Sequence, residues 1–450
     1  MTALAAVPPT PLAESLPRLE RLVSPFTGVV RAVHEVLAPP HDARLVRLAT
    51  APPDMRPLLG FHPDHLDDTS GGSAETRAQA RAAAIGELVE RYAASFVPEE
   101  TLVHGPAARF REEAVSPERF SLFAPEQYRA AGFPFVPFTA ATPVRWTRGF
   151  RLPGGEPALL PAQLVYLRWD GFGAGEAPIG VASSSGLACG PTLEESVLAG
   201  LLELVERDAF VLTWTHRLSL PLLDHRDTPG LPAWEERYLA PAGARHHVVD
   251  LSAFLGVPVA LAVVRSEGAG EPAVAVGAGS AATACDAGKK ALAEGYAVRT
   301  WARALLAHEP ARRFSATGDE VVTFSDHVHF HARPEHAETT AFLTSSSERR
   351  ALADVPALPG DGVLEWIRAI CTRLASQGCT AFAVDVTTPD VRDAGLYVTK
   401  TIVPQLCPLD VRQDARLLGG ERLRTLPHRL GLATGPLRWE DVNPYPHPFP

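Results

Sequence analysis

The sequence predicts an α+β fold, a mixed α/β arrangement in which mixed sheets are packed with helices. Strand-sized runs of apolar and β-branched residues alternate along the chain with long helical segments. A hydrophobic fraction of 46% and a charged fraction of 21% are typical of a folded chain with a large core. The length of 450 residues favours two or three lobes. Sheets covered by helices satisfy all three observations.

The predicted strands are short, rich in apolar residues and bounded by Pro, Gly or polar turns. They lie in segments 21–37, 43–51, 246–252, 257–268, 271–280, 380–390 and 396–406. Segment 147–167 is predicted to form a hairpin. This distribution places strands on both sides of the central helices, as an α+β fold requires.

Three long helices carry the strongest patterns. The first is expected over 74–96, after a Gly-rich turn at 67–73, and the third over 282–306. The second follows a Gly/Ser loop at 183–196, in which Thr192 is a suitable N-cap.

Composition and termini exclude several classes. A formal charge of -10 without a basic stripe argues against a nucleic-acid-binding protein. The start has no signal-peptide pattern and no apolar run is long enough to span a bilayer, so we expect a cytoplasmic protein. The five cysteines form no C-x-x-C pair, which favours reduced thiols.

The pentapeptide ELVER occurs twice, at 87–91 and at 203–207. Residues i and i+3 of a helix share a face, so Glu87 and Glu90 project together, as do Glu203 and Glu206. Both helices are otherwise apolar, and buried carboxylates repel each other unless a cation neutralises them. The pattern favours a Mg²⁺ and nucleotide site, with Arg91 and Arg207 available for phosphate oxygens. The alternative is two ordinary solvated helix faces.

Other motifs are weaker. The chain has no P-loop sequence, and segment 276–282, VGAGSAA, matches a dinucleotide-binding pattern only formally. Segment 326–336 contains four histidines, and alternate spacing would place three of them on one strand face. Without a nearby cysteine or an H-x-x-x-H helix, a solvent-facing or core-satisfied cluster is favoured over a zinc site.

The chain ends in NPYPHPFP, with proline at every second position. This spacing favours a stiff, extended tail that docks with little loss of entropy. Such a tail would present the α-carboxylate of Pro450 at its tip, where it could serve as a base. A disordered end or a ligand for a proline-recognising domain are the alternatives.

Taken together, the motifs resemble the YcaO proteins, and within them the azoline-forming cyclodehydratases of ribosomal peptide natural-product pathways. The resemblance extends over nearly the whole chain. It rests on GGSAETRAQARAAAIGELVERYA, SSSGLACGPTLEESVLAGLLELVERDAF, VGAGSAATACDAGKKALAEGYAVRTW, DHVHFH, VDVTTPDV and the terminal PHPFP.

The resemblance implies an enzyme that uses ATP and Mg²⁺ to phosphorylate a peptide amide oxygen, so that a neighbouring Cys, Ser or Thr forms a thiazoline or oxazoline. It implies metal ligands at Glu87, Glu90, Glu203 and Glu206. It implies nucleotide contacts at Arg91, Ser184, Ser185, Arg207, Glu294 and Arg299. It implies a part in ring formation for Pro446, Pro448 and Pro450.

Some positions depart from the family pattern. Ala83 stands where Ser is common, Ser185 where Asn is frequent and Ala297 where Gln is frequent. Lys400 and Gln405 replace an Arg and a Gly. These changes bear on ATP affinity rather than on the fold.

The resemblance also implies an organisation and a set of partners. We expect a flexible N-terminus at 1–14, a YcaO domain at 15–437 and a Pro-rich tail at 438–450 that enters the active site. The chain looks like a discrete catalytic subunit, which implies a precursor peptide and a separate E1-like or ocin-type leader-binding protein. A flavin-dependent azoline dehydrogenase and a homodimer stay open, as do thioamide- or amidine-forming activity and a scaffold that binds a peptide without catalysis.

Overall fold

The structure is a computed structural model that describes residues 4–60, 71–110, 112–167, 176–224, 226, 228–268 and 270–449. The first half of the predicted Gly-rich turn, 67–70, and the terminal Pro450 lie outside these residues. No helix in the described ranges combines the length and the apolar character that a membrane span needs.

The structure confirms the α+β prediction, with helices and mostly antiparallel sheets. The helices are α1 Leu12–Glu20, α2 Arg56–Leu59, α3 Arg77–Ala93, α4 Pro125–Tyr128, α5 Leu193–Thr215, α6 Leu231–Tyr238, α7 Ala284–His308, α8 Phe324–Ala332, α9 Val363–Ser376, α10 Pro389–Asp393 and α11 Glu421–Arg429. The strands are β1 Ala32–Glu35, β2 Val46–Ala51, β3 Gly71–Ala74, β4 Val103–Pro106, β5 Pro143–Arg151, β6 Pro157–Pro161, β7 Leu187–Gly190, β8 Leu222–Asp224, β9 Arg245–Asp250, β10 Val259–Arg265, β11 Val274–Ser280, β12 Arg349–Ala351, β13 Phe382–Asp385 and β14 Tyr397–Ile402.

The chain forms two compact units. Unit 1 consists of Met1–Val36, Val46–Leu204 and Pro359–Leu406. It contains the antiparallel sheet β1-β2-β3 and a second antiparallel sheet ordered β4-β5-β13-β14-β7, with β6 paired to β5. Helix α3 packs against β2, β3 and β7, and its apolar face joins the core of the unit. This packing holds the first ELVER helix against two sheets.

Unit 2 consists of Leu37–Leu45, Val205–Leu358 and Cys407–Pro450. Its sheet has the order β11-β10-β9-β8-β12, antiparallel except for the parallel pair of β8 and β12. Helix α7 packs against β10 and β11 and supplies much of the apolar core. The boundary between the units falls inside α5, which therefore contributes residues to both.

Two glycines of β11 explain the VGAGSAA motif. A Cβ at Gly277 would lie 2.2 Å from the backbone nitrogen of Gly295, and one at Gly279 would lie 2.3 Å from the carbonyl oxygen of Ala287. Both glycines pair in register with β10, so they lie in a strand rather than in a phosphate-binding turn. Close packing of α7 on the sheet therefore accounts for them.

Several predicted elements are confirmed. The hairpin is β5 and β6, the first and third predicted helices are α3 and α7, and the N–H of Glu195 donates to the Thr192 hydroxyl at the start of α5.

Helix α1 was not predicted, because Pro11 precedes it and Pro17 lies inside it. The terminus predicted to be flexible includes the start of α1, and the N–H of Thr10 donates to Glu195 at 2.7 Å.

We expect Gly277→Ala to destabilise unit 2, because the new methyl group would meet helix backbone that cannot rotate away. Overpacking of this kind costs about 1–3 kcal/mol in the free energy of unfolding. Gly288→Ala on α7 is the matched control, since its Cβ meets nothing within 4 Å and alanine favours helix by about 1 kcal/mol. Urea denaturation of both variants measures the difference. Equal stabilities would contradict the packing account.

Candidate functional site

Helix α3 positions the first acidic pair. Its N-cap, Thr76, accepts a hydrogen bond from the N–H of Gln79, and its buried face includes Ile85 and Leu88. With that face fixed in the core, Glu87 and Glu90 lie on the mostly buried side next to it. The local sequence thus determines where the two carboxylates point.

Three carboxylates meet in unit 1, and each accepts a backbone N–H. Glu90 accepts from Cys189 at 2.8 Å, Glu203 from Gly186 at 2.9 Å and Glu87 from Gly71 at 2.8 Å. Glu87 is also paired with the guanidinium of Arg91 at 3.0 Å. The structure therefore brings together four of the predicted site residues, from α3 and from the unit 1 part of α5.

The electrostatics of Glu90 reflect this crowding. Burial raises the pKa of Glu90 well above its usual value, and the charges of Glu203 and Glu87 raise it further. The N–H of Cys189 and the charge of Arg91 oppose the shift. A cation bound here would relieve the repulsion among the acids.

Lys400 of β14 is a second cation, after Arg91, that the structure places beside these acids. Its Nζ donates to the carbonyl oxygens of Ser183 at 2.5 Å and Ser185 at 2.6 Å. Burial lowers the pKa of Lys400 to about 8, and the carboxylate of Glu203 opposes this shift. Lys400 therefore fixes the loop that contains Ser184 and Ser185, the two residues predicted to lie near a nucleotide.

Unit 2 contains the second part of the ELVER repeat and the tail. Arg207 lies 3.7 Å from Glu206, and its guanidinium carbon lies 4.1 Å from the ring centroid of Phe449. Phe449 is fully buried and also packs against Phe210 at 4.8 Å. The described end of the tail thus rests on the predicted phosphate-binding arginine.

The tail is ordered by three side chains from two helices. His331 and His327 of α8 lie 2.8 Å from the carbonyl oxygens of Pro446 and His447, and Trp214 of α5 donates to that of Tyr445. Pro446 and Pro448 are buried, whereas Pro450 lies outside the described residues. The prediction that the tail docks as an extended segment agrees with these contacts; its part in ring formation stays a prediction.

The predicted strand face of histidines is wrong. Segment 324–332 is helix α8, which begins with a capping box between Thr323 and Asp326. Alternation of polar and apolar residues favoured a strand. The N-terminal cap and the burial of both faces of the segment stabilise a helix instead. Burial lowers the pKa of His331 to about 3 and lowers that of His327 as well, so both rings are neutral near pH 7. His327 and His331 are therefore bonded to backbone carbonyls in the core rather than facing solvent.

The two remaining predicted residues lie in unit 2 on α7. Glu294 accepts the N–H of Ala278 at 2.6 Å. Arg299 is 3% exposed and bonds Asp42 at 2.7 Å and Glu271 at 2.6 Å. These ion pairs give Arg299 a structural role in unit 2. Its contact with phosphate stays a prediction that would require an exchange of partners.

The carboxylates of unit 1 suit a Mg²⁺ ion that is shared with a nucleotide. Across the part of the chain that the structure describes, no group of three or more His, Cys, Asp or Glu side chains is arranged to hold a metal alone. Mg²⁺ in nucleotide enzymes usually takes one or two carboxylates and completes its shell with phosphate and water. Glu87, Glu90 and Glu203 fit that smaller requirement, because they are hard oxygen donors whose charges repel each other.

Sequence reasoning identified Lys400 only as a departure from the family pattern and missed its loop contacts. It also missed the tail contacts of Trp214 and of Arg416, whose guanidinium donates to the carbonyl oxygen of Asn443 at 2.5 Å. A signal existed for the first, since lysine occurs at only three positions and Lys400 interrupts an otherwise buried strand. Nothing local marks the other two, because they act on a tail that is distant in sequence.

Comparison with known proteins supports one family. The family model "YcaO cyclodehydratase, ATP- and Mg²⁺-binding" matches residues 71–407. An uncharacterised protein of Methanothermobacter thermautotrophicus is 29% identical over 211 residues, which are 45% of this chain and 49% of that protein. The chain thus spans about half of that relative's length.

Two solved structures share the fold. A heterocyclase in complex with substrate and cofactor has a TM-score of 0.82 and 24% identity, over 100% of this chain and 59% of that one. The Methanopyrus kandleri YcaO bound with AMPPCP and Mg²⁺ has a TM-score of 0.63 and 21% identity, over 90% and 94%. Since the family model covers most of the chain and the fold agrees, the protein belongs to the YcaO family.

Proposed function

We propose that the chain is an ATP-dependent cyclodehydratase that converts Cys, Ser or Thr residues of a ribosomal precursor peptide to thiazolines or oxazolines. The observation that carries the proposal is the group of three mutually repelling carboxylates, Glu87, Glu90 and Glu203, beside a loop fixed by Lys400. Such a group suits Mg²⁺ that is shared with a nucleotide phosphate.

The proposed reaction removes one water from the peptide overall. The side chain of the Cys, Ser or Thr adds to the preceding amide carbon and loses its proton. The amide oxygen takes a phosphoryl group from ATP and leaves as phosphate, while the amide nitrogen loses its proton and forms the C=N bond of the ring, so the products are an azoline, ADP and phosphate. Phosphorylation turns a poor leaving group into a good one, which is why the acids must hold the nucleotide.

Roles for the protein residues follow from chemistry and position. Glu87, Glu90, Glu203 and Glu206 are proposed to bind or orient Mg²⁺. Arg91 and Arg207 are proposed to contact phosphate oxygens, because a guanidinium binds such oxygens in pairs. The Pro-rich tail, with Pro446, Pro448 and Pro450, is proposed to take part in ring formation.

The comparisons support this proposal at the level of the family. The family model describes ATP- and Mg²⁺-binding cyclodehydratases, and one similar structure holds AMPPCP and Mg²⁺. Another is a heterocyclase with substrate and cofactor. The proposed partners are therefore a precursor peptide and a leader-binding protein, with an azoline dehydrogenase acting afterwards.

A scaffold that binds a peptide without turnover is the second candidate. The departures at Ala83, Ser185 and Ala297 favour it, because all three lie in the motifs proposed to bind nucleotide. The two candidates differ in whether the acids bind nucleotide at all.

Removal of single acids tests the nucleotide site. Glu90→Gln and Glu203→Gln should each weaken Mg²⁺-dependent ATP binding at least tenfold, about 1.4 kcal/mol, because each removes a charge that Mg²⁺ neutralises. Isothermal titration calorimetry with and without Mg²⁺ measures the affinity. Glu100→Gln, an exposed glutamate of unit 1, is the control and should bind as the wild type does. Wild-type affinity in both site variants would favour the scaffold.

The raised pKa of Glu90 predicts an effect of pH on stability. A carboxyl whose pKa is raised on folding stabilises the folded state below its unfolded pKa and loses that contribution as pH rises through the folded value. In a buffer that contains a metal chelator and no nucleotide, Glu90→Gln should therefore have a higher free energy of unfolding than the wild type at pH 7, by about 0.5–2 kcal/mol. The gain should shrink towards pH 4.5. Thermal melts at both pH values measure it, and a pH-independent gain would argue against titration of Glu90.

Extension of the C-terminus separates azoline formation from other activities. Two glycines after Pro450 would change the end of the tail that is proposed to take part in ring formation, and they should lower ring formation on a cognate peptide at least tenfold. ATP affinity should fall much less than ring formation, because Glu87, Glu90 and Glu203 are untouched, although Phe449 rests on Arg207. Mass spectrometry counts lost waters, and the same two glycines at the N-terminus serve as control. Full ring formation in the extended protein would rule out a role for the terminus.

A further inference from the structure

The C-terminal tail is held through its backbone. Five successive carbonyl oxygens, those of residues 443 to 447, each lie within hydrogen-bond distance of a different side-chain nitrogen. In order, the nitrogens belong to Arg416 at 2.5 Å, Gln413 at 2.6 Å, Trp214 at 3.2 Å, His331 at 2.8 Å and His327 at 2.8 Å. We name this set the donor row. The other ring nitrogen of His327 lies 2.8 Å from the carbonyl oxygen of Val411, so a neutral His327 ring donates to only one of its two carbonyl neighbours.

The donor row supplies the hydrogen-bond donors that a proline-rich chain lacks. Pro444, Pro446 and Pro448 have no N–H, so the tail cannot pair as a normal β-strand, and its carbonyl oxygens need partners from elsewhere. Each neutral hydrogen bond of this kind contributes modestly, but an unmet carbonyl in a buried groove is costly. The row therefore binds the chain in an extended conformation, in which each successive carbonyl oxygen meets one side-chain nitrogen.

Both ends of the docked segment are also fixed. At the start, the side-chain amide of Asn443 donates to the carbonyl of Trp214, and the N–H of Asn443 donates to that of Thr215. At the end, Phe449 fills a fully buried position between Phe210 and Arg207. An anchor at each end with a donor row between them is the arrangement of a peptide-binding groove.

The side chains between these anchors are recognised at three positions and not at two others. Pro444 is exposed and Tyr445 is only partly buried, whereas Pro446, His447 and Pro448 are buried. The ring of His447 stacks on that of His327 at 3.9 Å between centroids, and its Nε2 lies 2.7 Å from the carbonyl oxygen of Asp410. Recognition thus depends on the extended backbone, on the buried prolines and on His447, with an apolar residue near the end.

We propose that this groove is a binding site for proline-rich peptide ends and that the tail is a separable ligand of it, so that the peptide of residues 443–450 binds in trans once the covalent link is cut. The contacts lie within residues 443–449 and do not need the preceding chain. Because prolines pre-order the peptide, its loss of conformational entropy on binding is small. The inference goes beyond the proposed reaction and does not depend on it.

The test starts from the full chain with a protease recognition sequence inserted after the exposed Thr434. The protein folds intact and is then cleaved, so that its fold is acquired before the tail is freed. A fluorescent peptide of residues 443–450 is added and its anisotropy is followed. We expect saturable one-to-one binding, with release of the resident fragment on dilution.

Matched variants identify the donor row. Trp214→Phe keeps the aromatic ring but removes the N–H, and it should weaken peptide binding about five- to tenfold, the value of one neutral hydrogen bond. In the peptide, Tyr445→Phe should bind unchanged, because the donor at this position reads the carbonyl. A peptide of the same composition with its prolines grouped together should not compete.

Three results would overturn the proposal. One is a cleaved protein that stays folded by circular dichroism, releases its fragment and binds no peptide. Another is a cleaved protein that unfolds, since the tail would then be part of the core rather than a ligand. The last is equal binding of the proline-grouped peptide, which would show that the groove does not read the spacing.

Discussion

Electrostatic repulsion among Glu87, Glu90 and Glu203 is the constraint on which the site depends. Carboxylates that share a mostly buried position are stable only if they are protonated, paired or bound to a cation. The protein meets part of this need with one backbone N–H for each acid and with Arg91 beside Glu87. Burial, together with the charges of Glu203 and Glu87, raises the pKa of Glu90, so the N–H of Cys189 and the charge of Arg91 offset the cost only in part. Buried carboxylates that are only partly compensated lower the free energy of unfolding and favour the binding of a divalent cation. Such a loss of stability is common at functional sites.

The tail poses the opposite problem, since it brings acceptors without donors. A proline-spaced backbone offers a carbonyl at every residue and an N–H at only every second one. The donor row meets these carbonyls from helices α5 and α8 and from segment 413–416, and Phe449 closes the groove against Arg207. Both the acidic site and the tail groove therefore follow from one rule, which is that buried polar groups need partners. In the acidic site these groups are carboxylates, and in the groove they are backbone carbonyls.

Much of this could be predicted from the sequence because it is local. Helix periodicity, the Thr192 cap and the β5–β6 hairpin follow from neighbouring residues, and the two ELVER repeats place acids on one helix face. What failed depends on tertiary packing. The alternation in DHVHFH favoured a strand, yet the Thr323 cap and the tail stabilise a helix. The ion pairs of Arg299 with Asp42 and Glu271 join segments far apart in sequence, so a motif match could not reveal them.

A crystal structure of the protein with AMPPCP and Mg²⁺ tests the central claim most directly. The account predicts a Mg²⁺ ion about 2.0–2.1 Å from a carboxylate oxygen of Glu87, Glu90 or Glu203, with phosphate oxygens completing its coordination. The Ser183–Gly186 loop should keep its bonds to Lys400 and Glu203 in that complex. Nucleotide bound elsewhere, or carboxylates that keep their present partners and bind no Mg²⁺ while nucleotide is bound, would contradict it.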